Sequence, residues 1–505
     1  MINIISAFHG TCLNRLCFTF SAIGILPAIK AFNDRIISPA VPIVLISAGI
    51  YYAFKLKFFH IFHPVILTKS AFGKYTGSKC SEKGKSALTN KAEKKKKGIS
   101  PVRSLLLALA GTLGVGNIVG VAGAISAGGF GSIFWMWVSA AAAMLLKYAE
   151  VVLAHRHRIF DAAGNPHGSA MLYIKDFFVR LRLMKLGKSV AMIFAVMCII
   201  DSVTMGCVVQ VNAVSHALEG EFSVPCIVSG IVISIITAVI FIRGDQAVSK
   251  VTEIVVPLMS TIYILLSLLV IPVSGAVDSG FISAADAFSL IFKDAFSFRS
   301  IGGGVFGFIT SRALRLGTIR GILSNEAGCG TAPIAHSEST GESPAAQGIL
   351  GIVEVFIDTI VLCTMTAIVL IIGYDRVGML SDDPVMMVIG AYSAILGHWS
   401  GILLGISVLF FGFATIICWA HYGSECMGYI SGSRVAGNAY RFIYCSAIVI
   451  GACTAPEYIW LASDLSLGMM TLINVPVLCF MSDEVKNETD IYFRNIKETS
   501  VNKNT

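Results

Sequence analysis

The amino-acid sequence predicts an all-α, polytopic membrane protein with about 11 transmembrane helices. Only 13% of its 505 residues are charged, whereas an ordinary soluble domain has about 25%, and its mean hydropathy is +0.78. These values exclude a water-soluble fold. Apolar runs long enough to span a membrane lie near residues 38–58, 102–128, 132–154, 188–218, 224–242, 252–274, 300–323, 349–373, 401–422, 438–455 and 458–481.

The charges that flank these runs predict the orientation of the chain. The most basic stretch, residues 69–100, contains Lys91 and the run from Lys94 to Lys97, and short Lys-rich loops stay in the cytoplasm. With this stretch inside, the other Arg- and Lys-bearing loops are also cytoplasmic, and the opposite loops are mainly acidic. We therefore expect a multi-pass protein of the plasma membrane, or of the inner membrane in a Gram-negative source, with its N-terminus outside and its C-terminus in the cytoplasm. The net charge of +8 then needs no nucleic-acid partner.

The segments follow from the same pattern. Residues 1–33 form an N-terminal extension, whose apolar run from Cys17 to Ala28 is either a signal-like segment or an interfacial helix. A single membrane domain covers 34–481, and a cytoplasmic tail covers 482–505. Within the domain we expect an extra N-terminal helix at 34–68, the basic cytoplasmic segment at 69–100, a first repeat at 101–274 and a second repeat at 283–481. Ten spans in two sets of five that begin on opposite sides of the membrane are typical of inverted repeats.

A glycine-rich run in the first helix of the first repeat is the most informative stretch, AGTLGVGNIVG at 110–120. Glycines weaken a helix, and a membrane helix breaks only where its freed backbone groups are buried in protein or meet a ligand. Asn117 is a favoured N-cap residue, so a second half-helix from Ile118 could point its dipole at a carboxylate. Carbonyls of residues 113–116 could then hold a small cation. The alternative is that these glycines permit close helix packing.

A second glycine-rich run, GGGVFGF at 302–308, opens the second repeat, where inverted symmetry predicts another broken helix. The agreement between the two positions favours a binding site at the breaks over simple close packing. We therefore include Gly303 and Phe306 among the candidate substrate contacts.

Three polar or aromatic side chains in apolar helices are further candidates. The buried amide of Gln210 must find a hydrogen-bond partner, either a substrate or a neighbouring helix. Thr415 and Trp419 share one helix face, so the hydroxyl could complete a sodium shell while the indole walls the pocket. The alternative for Trp419 is a place in the aromatic belt at the membrane interface.

Acidic residues inside membrane spans are functional by default, which singles out Asp201, Asp358 and Asp464. Asp358 could accept a proton, pair with a basic residue or support a cation site. Lys147 and Glu150, at i,i+3 spacing, are expected to form a structural salt pair.

Enzymatic motifs are missing from the sequence, which contains neither H-E-x-x-H nor a P-loop. Its 13 cysteines form no CxxC pair, so we expect neither disulfides nor zinc. A membrane-embedded enzyme would need a cluster of ionisable groups at one depth, and a passive channel a continuous polar face on several helices. The sequence predicts neither, and we expect no enzyme activity and no organic cofactor.

Three stretches resemble the alanine or glycine:cation symporter family, also called sodium:alanine symporters. They are GTLGVGNIVGVA at 111–122, FWMWV at 134–138 running on to KYAE at 147–150, and RGILSNEAGCGTAPIAH at 320–336. The resemblance covers about residues 34–481. It implies a LeuT-type fold of two inverted five-helix repeats plus one N-terminal helix, and symport of sodium with alanine, glycine or a similar amino acid by alternating access. The chain would work in the lipid bilayer, as a monomer.

The resemblance also implies roles for individual residues. By motif match it implies substrate contacts at Asn117 and its loop, at Gln210 and at Trp419, and a sodium ligand at Thr415. Together with the candidates from the two glycine-rich runs, substrate contacts are expected at Gly114, Gly116, Asn117, Gln210, Gly303, Phe306 and Trp419, and sodium ligands at Leu113, Gly114, Val115, Gly116 and Thr415. Asn325 and Glu326 would act with Asp358 in gating or bracing, and Glu326 would pair with a basic residue. The alternative function is a sodium-independent or proton-coupled permease for another small zwitterion; a passive channel is the more distant one.

Overall fold

A computed structural model describes residues 25–62, 98–162, 164–274, 281–296, 312–341, 343–377, 383–454 and 457–501. Its helices are α1 (Pro27–Lys55), α2 (Pro101–Thr112), α3 (Gly116–Gly128), α4 (Gly131–Arg156), α5 (Ala170–Arg180), α6 (Met184–Phe222), α7 (Cys226–Arg243), α8 (Asp245–Ser274), α9 (Ala284–Ala295), α10 (Arg312–Asn325), α11 (Ala332–Ser337), α12 (Pro344–Tyr374), α13 (Pro384–Leu396), α14 (His398–Ser431), α15 (Arg434–Gly451), α16 (Glu457–Phe480) and α17 (Ser482–Val501). One further helical turn is Phe59–Phe62.

Several helices begin where a cap residue precedes proline. Ser100, Ser343 and Asp383 each accept a backbone N–H at the start of α2, α12 and α13, and each is followed by Pro at the first helical position. Such caps satisfy amide groups that have no partner within the helix, and proline has no amide hydrogen to lose there. Local sequence therefore sets these three starts.

Eight helices in the described part of the chain are long and apolar enough to cross a membrane, and the bent pair α2 and α3 makes a ninth span. The expected run near 438–455 corresponds to α15, and the run near 300–323 is described only from Arg312 onward, as α10. The multi-pass helical architecture is thus confirmed, while the count of about eleven spans stays a prediction. Large apolar side chains such as Ile242 and Ile254 point outward, as lipid contact requires.

The core of the bundle is organised around two long helices. α4 packs against α1, α10 and α12, whereas α14 packs against α2, α6 and α8. The only described strands are β1 (Ile159–Phe160) and β2 (Pro166–His167), which form a short antiparallel hairpin between α4 and α5. α2 and α3 therefore lie where the helices of both groups can reach them.

Charged side chains are buried between these helices, and one predicted pairing is wrong. The Lys147 ammonium pairs with Glu354 of α12 at 3.1 Å, not with Glu150. The Glu150 carboxylate instead accepts the Gly330 amide at 2.8 Å and the Asn474 side-chain amide at 2.6 Å. All of these side chains are fully buried, so a partner on another helix prevails over the neighbour one turn away.

Candidate functional site

The first helix of the first repeat is broken, as the glycine-rich run predicts. α2 ends at Thr112, α3 begins at Gly116, and the two axes differ by 51°. The second half-helix thus begins at Gly116 rather than Ile118, and none of the described side chains caps it. Asn117 is therefore not the N-cap that we expected, because its amide is directed to another helix.

Gln210 of α6 covers the break from one side. Its Oε1 accepts the Val115 amide hydrogen at 2.9 Å, and its Nε2 donates to the Met205 carbonyl at 3.1 Å. The side chain is 1% exposed. The amide therefore makes the helix-to-helix bond that was one of the two interpretations of this residue, and it makes that bond at the break itself.

Thr415 of α14 covers the break from another side. Its Oγ1 lies 2.9 Å from the Ala110 carbonyl and 3.1 Å from the Phe411 carbonyl. A hydroxyl has one hydrogen, so it can donate to only one of them at a time. A Cβ atom at residue 114 would lie 2.8 Å from both Gln210 Oε1 and Thr415 Oγ1. Glycine is needed at this position because two polar side chains converge on it.

The backbone carbonyls at the break are partly engaged. Gly114 O accepts the backbone amide hydrogen of Asn117 at 3.3 Å. Val115 O accepts the backbone amide hydrogens of Ile118 and Val119 at 3.0 and 2.7 Å. A carbonyl oxygen has two lone pairs. Gly114 O therefore keeps acceptor capacity for a cation, whereas Val115 O has less to offer than the sequence suggested.

Asn117 and Asp358 join α3 to α12. Asn117 Nδ2 donates to Asp358 Oδ1 at 2.7 Å and to the Asp358 carbonyl at 3.2 Å. Asp358 Oδ2 accepts the hydroxyls of Ser324 at 2.7 Å and Thr359 at 2.8 Å. Asn117 Oδ1 is buried and has no hydrogen-bond partner among the described residues. The contact with Asp358 therefore fixes the orientation of the Asn117 side chain and leaves its Oδ1 available as an acceptor.

Asn325 and Glu326 lie where α10 ends. Asn325 Nδ2 donates to Thr359 Oγ1 at 3.1 Å, and its Oδ1 accepts the Ala327 amide at 3.1 Å. The backbone at Glu326 has a φ of 51°, a left-handed conformation that is uncommon for this residue type. The signature stretch SNEAGCG is thus a tight turn that connects α10 to α11.

Glu326, at the end of α10, and Trp419 of α14 contact each other. The indole Nε1 donates to Glu326 Oε1 at 3.2 Å, and the Thr331 hydroxyl donates to Glu326 Oε2 at 2.8 Å. These contacts do not include the basic partner that we expected for Glu326. Trp419 is fully buried and does not belong to an aromatic belt. Its ring packs on Gly206, where a Cβ atom would approach it to 2.2 Å.

The structure thus groups the predicted residues into two sets. Gly114, Gly116, Asn117, Gln210 and Thr415 surround the break, and Asp358 contacts Asn117. Asn325 and Glu326 lie at the end of α10, where Trp419 of α14 contacts Glu326. Gly303 and Phe306, and the second glycine-rich run, lie outside the described residues. Sequence reasoning missed the Ala110 carbonyl, which carries no residue-type signal, and Thr359, whose hydroxyl was not distinctive without the fold. Ser324 belongs to the signature stretch, but its contact with Asp358 was not predicted.

Comparisons with known proteins agree with this architecture. The model of a family described as the sodium:alanine symporter family matches residues 24–505. An uncharacterized transporter of Bacillus subtilis, YflA, is 34% identical over 93% of this chain and 96% of its own. The sodium/alanine symporter AgcS of Methanococcus maripaludis is 33% identical over 92% of this chain and 96% of its own.

Solved structures support the fold independently. The crystal structure of MhsT in complex with L-phenylalanine superposes with a TM-score of 0.56 at 13% identity, covering 75% of this chain and 89% of that one. At this identity the likeness concerns the fold alone. It confirms the LeuT-type architecture that the sequence predicted.

Proposed function

Because the chain belongs to the sodium:alanine symporter family, we propose that it is a secondary active transporter that moves alanine, glycine or a similar amino acid together with sodium. The family makes it a cation-coupled amino-acid transporter and not an enzyme. One observation carries the finer proposal. A helix buried in the protein is broken at residues 113–115, and two polar side chains from other helices converge on that break.

The oxygen atoms around Thr415 are the proposed sodium site. Thr415 Oγ1 and the Ala110 carbonyl lie 2.9 Å apart, and the carbonyls of residues 113–116 follow along the break. Carbonyl and hydroxyl oxygens are hard donors, which suit hard cations. When sodium enters, the Thr415 hydroxyl keeps the Phe411 carbonyl as its acceptor and turns a lone pair to the ion.

The start of α3 is the proposed amino-acid site. A helix N-terminus favours a carboxylate, and Asn117 Oδ1, which none of the described residues engages, can accept a hydrogen bond from an ammonium group. Asp358 acts as a positioning residue here. Because it accepts a hydrogen bond from Asn117 Nδ2, Asn117 Oδ1 points away from Asp358. The crowding at Gly114 leaves little volume, which favours a small side chain on the substrate.

The turn after α10 is the proposed brace. It ties α10 to α12 through Asn325 and Thr359, and to α14 through Glu326 and Trp419. Alternating access requires these helices to move relative to each other. We assign this turn to holding one closed arrangement, which has to open as the site changes sides.

The charged ends of the helices favour the orientation expected from the sequence. Lys55, Arg156 and Arg180, at the ends of α1, α4 and α5, all pair with acidic residues of α17. Basic residues are concentrated on the cytoplasmic side of membrane proteins, so we place α17 in the cytoplasm and the start of α1 outside. A monomeric protein of the plasma membrane, with its transport domain at 34–481, completes the proposal.

Calorimetric titration of alanine into the purified protein tests the coupling. Replacing sodium by choline should weaken alanine binding by about 5- to 150-fold, the usual range of coupling between two sites. Glycine should behave like alanine, and phenylalanine should not bind. Equal alanine affinity with and without sodium would overturn sodium coupling; if affinity then followed pH, the proton-coupled permease would take its place.

A further inference from the structure

Asp201 is a buried carboxylate far along the chain from the break residues of α2 and α3. It is fully buried in α6 and faces α16. Its Oδ1 accepts the hydroxyls of Ser466 at 2.9 Å and Ser463 at 3.3 Å. Its Oδ2 is buried without a hydrogen-bond partner among the described residues.

The hydroxyl of Ser466 has more acceptors than hydrogens. Its Oγ lies 2.9 Å from Asp201 Oδ1, 3.0 Å from the Ala462 carbonyl and 3.1 Å from the Ser463 carbonyl. One hydroxyl hydrogen can serve only one of these oxygens. The cluster is therefore rich in oxygen atoms and short of hydrogens, which is the environment that a hard cation or a proton would complete.

The charged neighbours of Asp201 do not neutralise it. In the described part of the chain no basic side chain forms an ion pair with it. On α5, Asp176 pairs with His157 and Arg180 with Glu484. The titratable groups that interact with Asp201 are Asp464 of α16, Glu326 and Cys329 of the turn after α10, and Cys198, which itself contacts Cys426 of α14. A buried carboxylate without a counter-charge is costly.

We propose that Asp201, Ser463 and Ser466 form a second cation site, which binds a small monovalent cation, either a sodium ion or a proton. The ligand would supply the positive charge that the surrounding acids and thiols lack, and would engage Asp201 Oδ2, which has no partner among the described residues. Neither the family assignment nor the site at the break is needed for this binding.

The position of the site gives it a route to the break. The π-helical segment Thr204–Val209, against which α16 packs, begins one turn after Asp201. That segment contains Met205, whose carbonyl holds Gln210, and Gly206, which contacts Trp419. A cation between α6 and α16 therefore stabilises the segment that positions Gln210. This last step alone rests on the proposed function.

Thermal unfolding of the detergent-purified protein tests the binding without any transport assay. The midpoint is measured against sodium concentration, with choline holding ionic strength constant, at several pH values. Wild type is compared with Asp201→Asn, Ser466→Ala, Thr415→Ala and the double variant Thr415→Ala/Asp201→Asn. Thr471→Val is the matched control, because it removes another buried hydroxyl of α16, one that donates to the Leu467 carbonyl.

Two results support the proposal and identify the ligand. If the ligand is sodium, the midpoint still rises with sodium at fixed pH in Thr415→Ala, where the site at the break is disabled, and in Thr471→Val. This rise is smaller in Asp201→Asn than in wild type, and it is lost when Asp201→Asn is combined with Thr415→Ala. If it is a proton, the midpoint falls as pH rises regardless of sodium, because an uncompensated charge is left behind, and Asp201→Asn flattens that dependence.

Unchanged dependence on both sodium and pH in Asp201→Asn would overturn the second site. If that variant does not fold, Ser466→Ala decides, since it keeps the carboxylate and should still move the half-saturating sodium concentration or the midpoint pH. If the unfolding midpoint of Ser466→Ala depended on sodium and pH in the same way as that of Thr471→Val, the proposal would be overturned. Failure of alanine binding would leave these readouts intact, so the two proposals fail separately.

Discussion

Gln210 Oε1 accepts the amide hydrogen of Val115 at 2.9 Å, across 95 residues of chain. The bond connects α6 to the break between α2 and α3. There the Val115 amide hydrogen lacks the carbonyl acceptor that an unbroken helix would provide. Gln210 thus stabilises the broken conformation and places a polar group beside the proposed substrate site. A movement of α6 would change both at once.

Replacing Gln210 with Ala should raise the apparent dissociation constant for alanine. The change leaves the buried Val115 amide without an acceptor, which costs about 1–3 kcal/mol, or about 5- to 150-fold in affinity if the whole cost appears in binding. Gln210→Glu keeps an acceptor oxygen and should lose less. Asn212→Ala is the matched control, because Asn212 lies on the same helix and donates instead to the Gly451 and Thr454 carbonyls. Equal losses in the control would show a general defect of α6.

Replacing Thr415 with Ala should raise the half-saturating sodium concentration more than it raises the dissociation constant for alanine. The hydroxyl that faces the Ala110 carbonyl is removed, whereas Thr415→Ser retains it and should restore most of the sodium dependence. Ser407→Ala removes a buried hydroxyl of the same helix that donates to Leu403, and should leave the sodium constant unchanged. Sodium titrations of alanine binding measure all three variants, and a wild-type constant in Thr415→Ala would remove this residue from the site.

The location of the break could be predicted from sequence because glycine acts locally. Three glycines within a short run weaken a helix wherever the rest of the chain lies. The start of the second half-helix could not be predicted as well. Asn117 has the propensity of a cap, but its amide binds Asp358, 241 residues away. A contact of that separation has no local signal.

The partners of buried charges were the least predictable feature. Lys147 and Glu150 fit a helical salt pair by spacing, yet Glu354 lies 207 residues from Lys147 and is its partner. Low dielectric in the interior makes the position of each charge depend on the packing of several helices. The Ala110 carbonyl illustrates the same limit, because every residue has a carbonyl and only the fold selects one.

Glu484 connects the C-terminal helix α17 to the helix ends beneath the bundle. Arg156, Arg180 and His157 all contact its carboxylate. Burial raises its pKa, but the hydrogen bonds from Arg180 and His157 prevail, and the pKa of Glu484 lies below its ordinary value. The contacts therefore stabilise α17 at neutral pH and are lost as pH falls below about 4.5.

Glu484→Gln should lower the free energy of unfolding by about 1 kcal/mol or less, since these pairs are partly exposed. High salt should reduce the difference between variant and wild type. Glu498→Gln is the control, because Glu498 is an exposed residue of the same helix. Thermal unfolding at low and high salt measures the effect; an equal effect in both variants would mean that the contacts of Glu484 contribute nothing of their own.

His167, at the end of β2, links the short hairpin to α14. Its Nδ1 lies 3.2 Å from Glu425 Oε2, and that hydrogen bond is the main reason why the pKa of His167 is raised to about 9. Since the folded pKa lies above the ordinary value of about 6.5, the stabilisation is fully present below that value and is lost as pH rises through 9.

Amide hydrogen exchange of Ile159, Phe160 and His167 should therefore quicken between about pH 7 and pH 10 beyond the intrinsic change. His167→Asn should show little of this additional change. Its protection at neutral pH should match that of the wild type at high pH. The same pH dependence in both proteins would assign the opening of the hairpin to another group.

Uptake of labelled alanine into proteoliposomes is the most direct test of sodium-coupled transport. With an inward sodium gradient, the purified protein should concentrate alanine above its external level, and a sodium ionophore should release the excess. Without a gradient, alanine should only equilibrate. Accumulation that ignores the sodium gradient, or equilibration that the gradient never exceeds, would contradict the account.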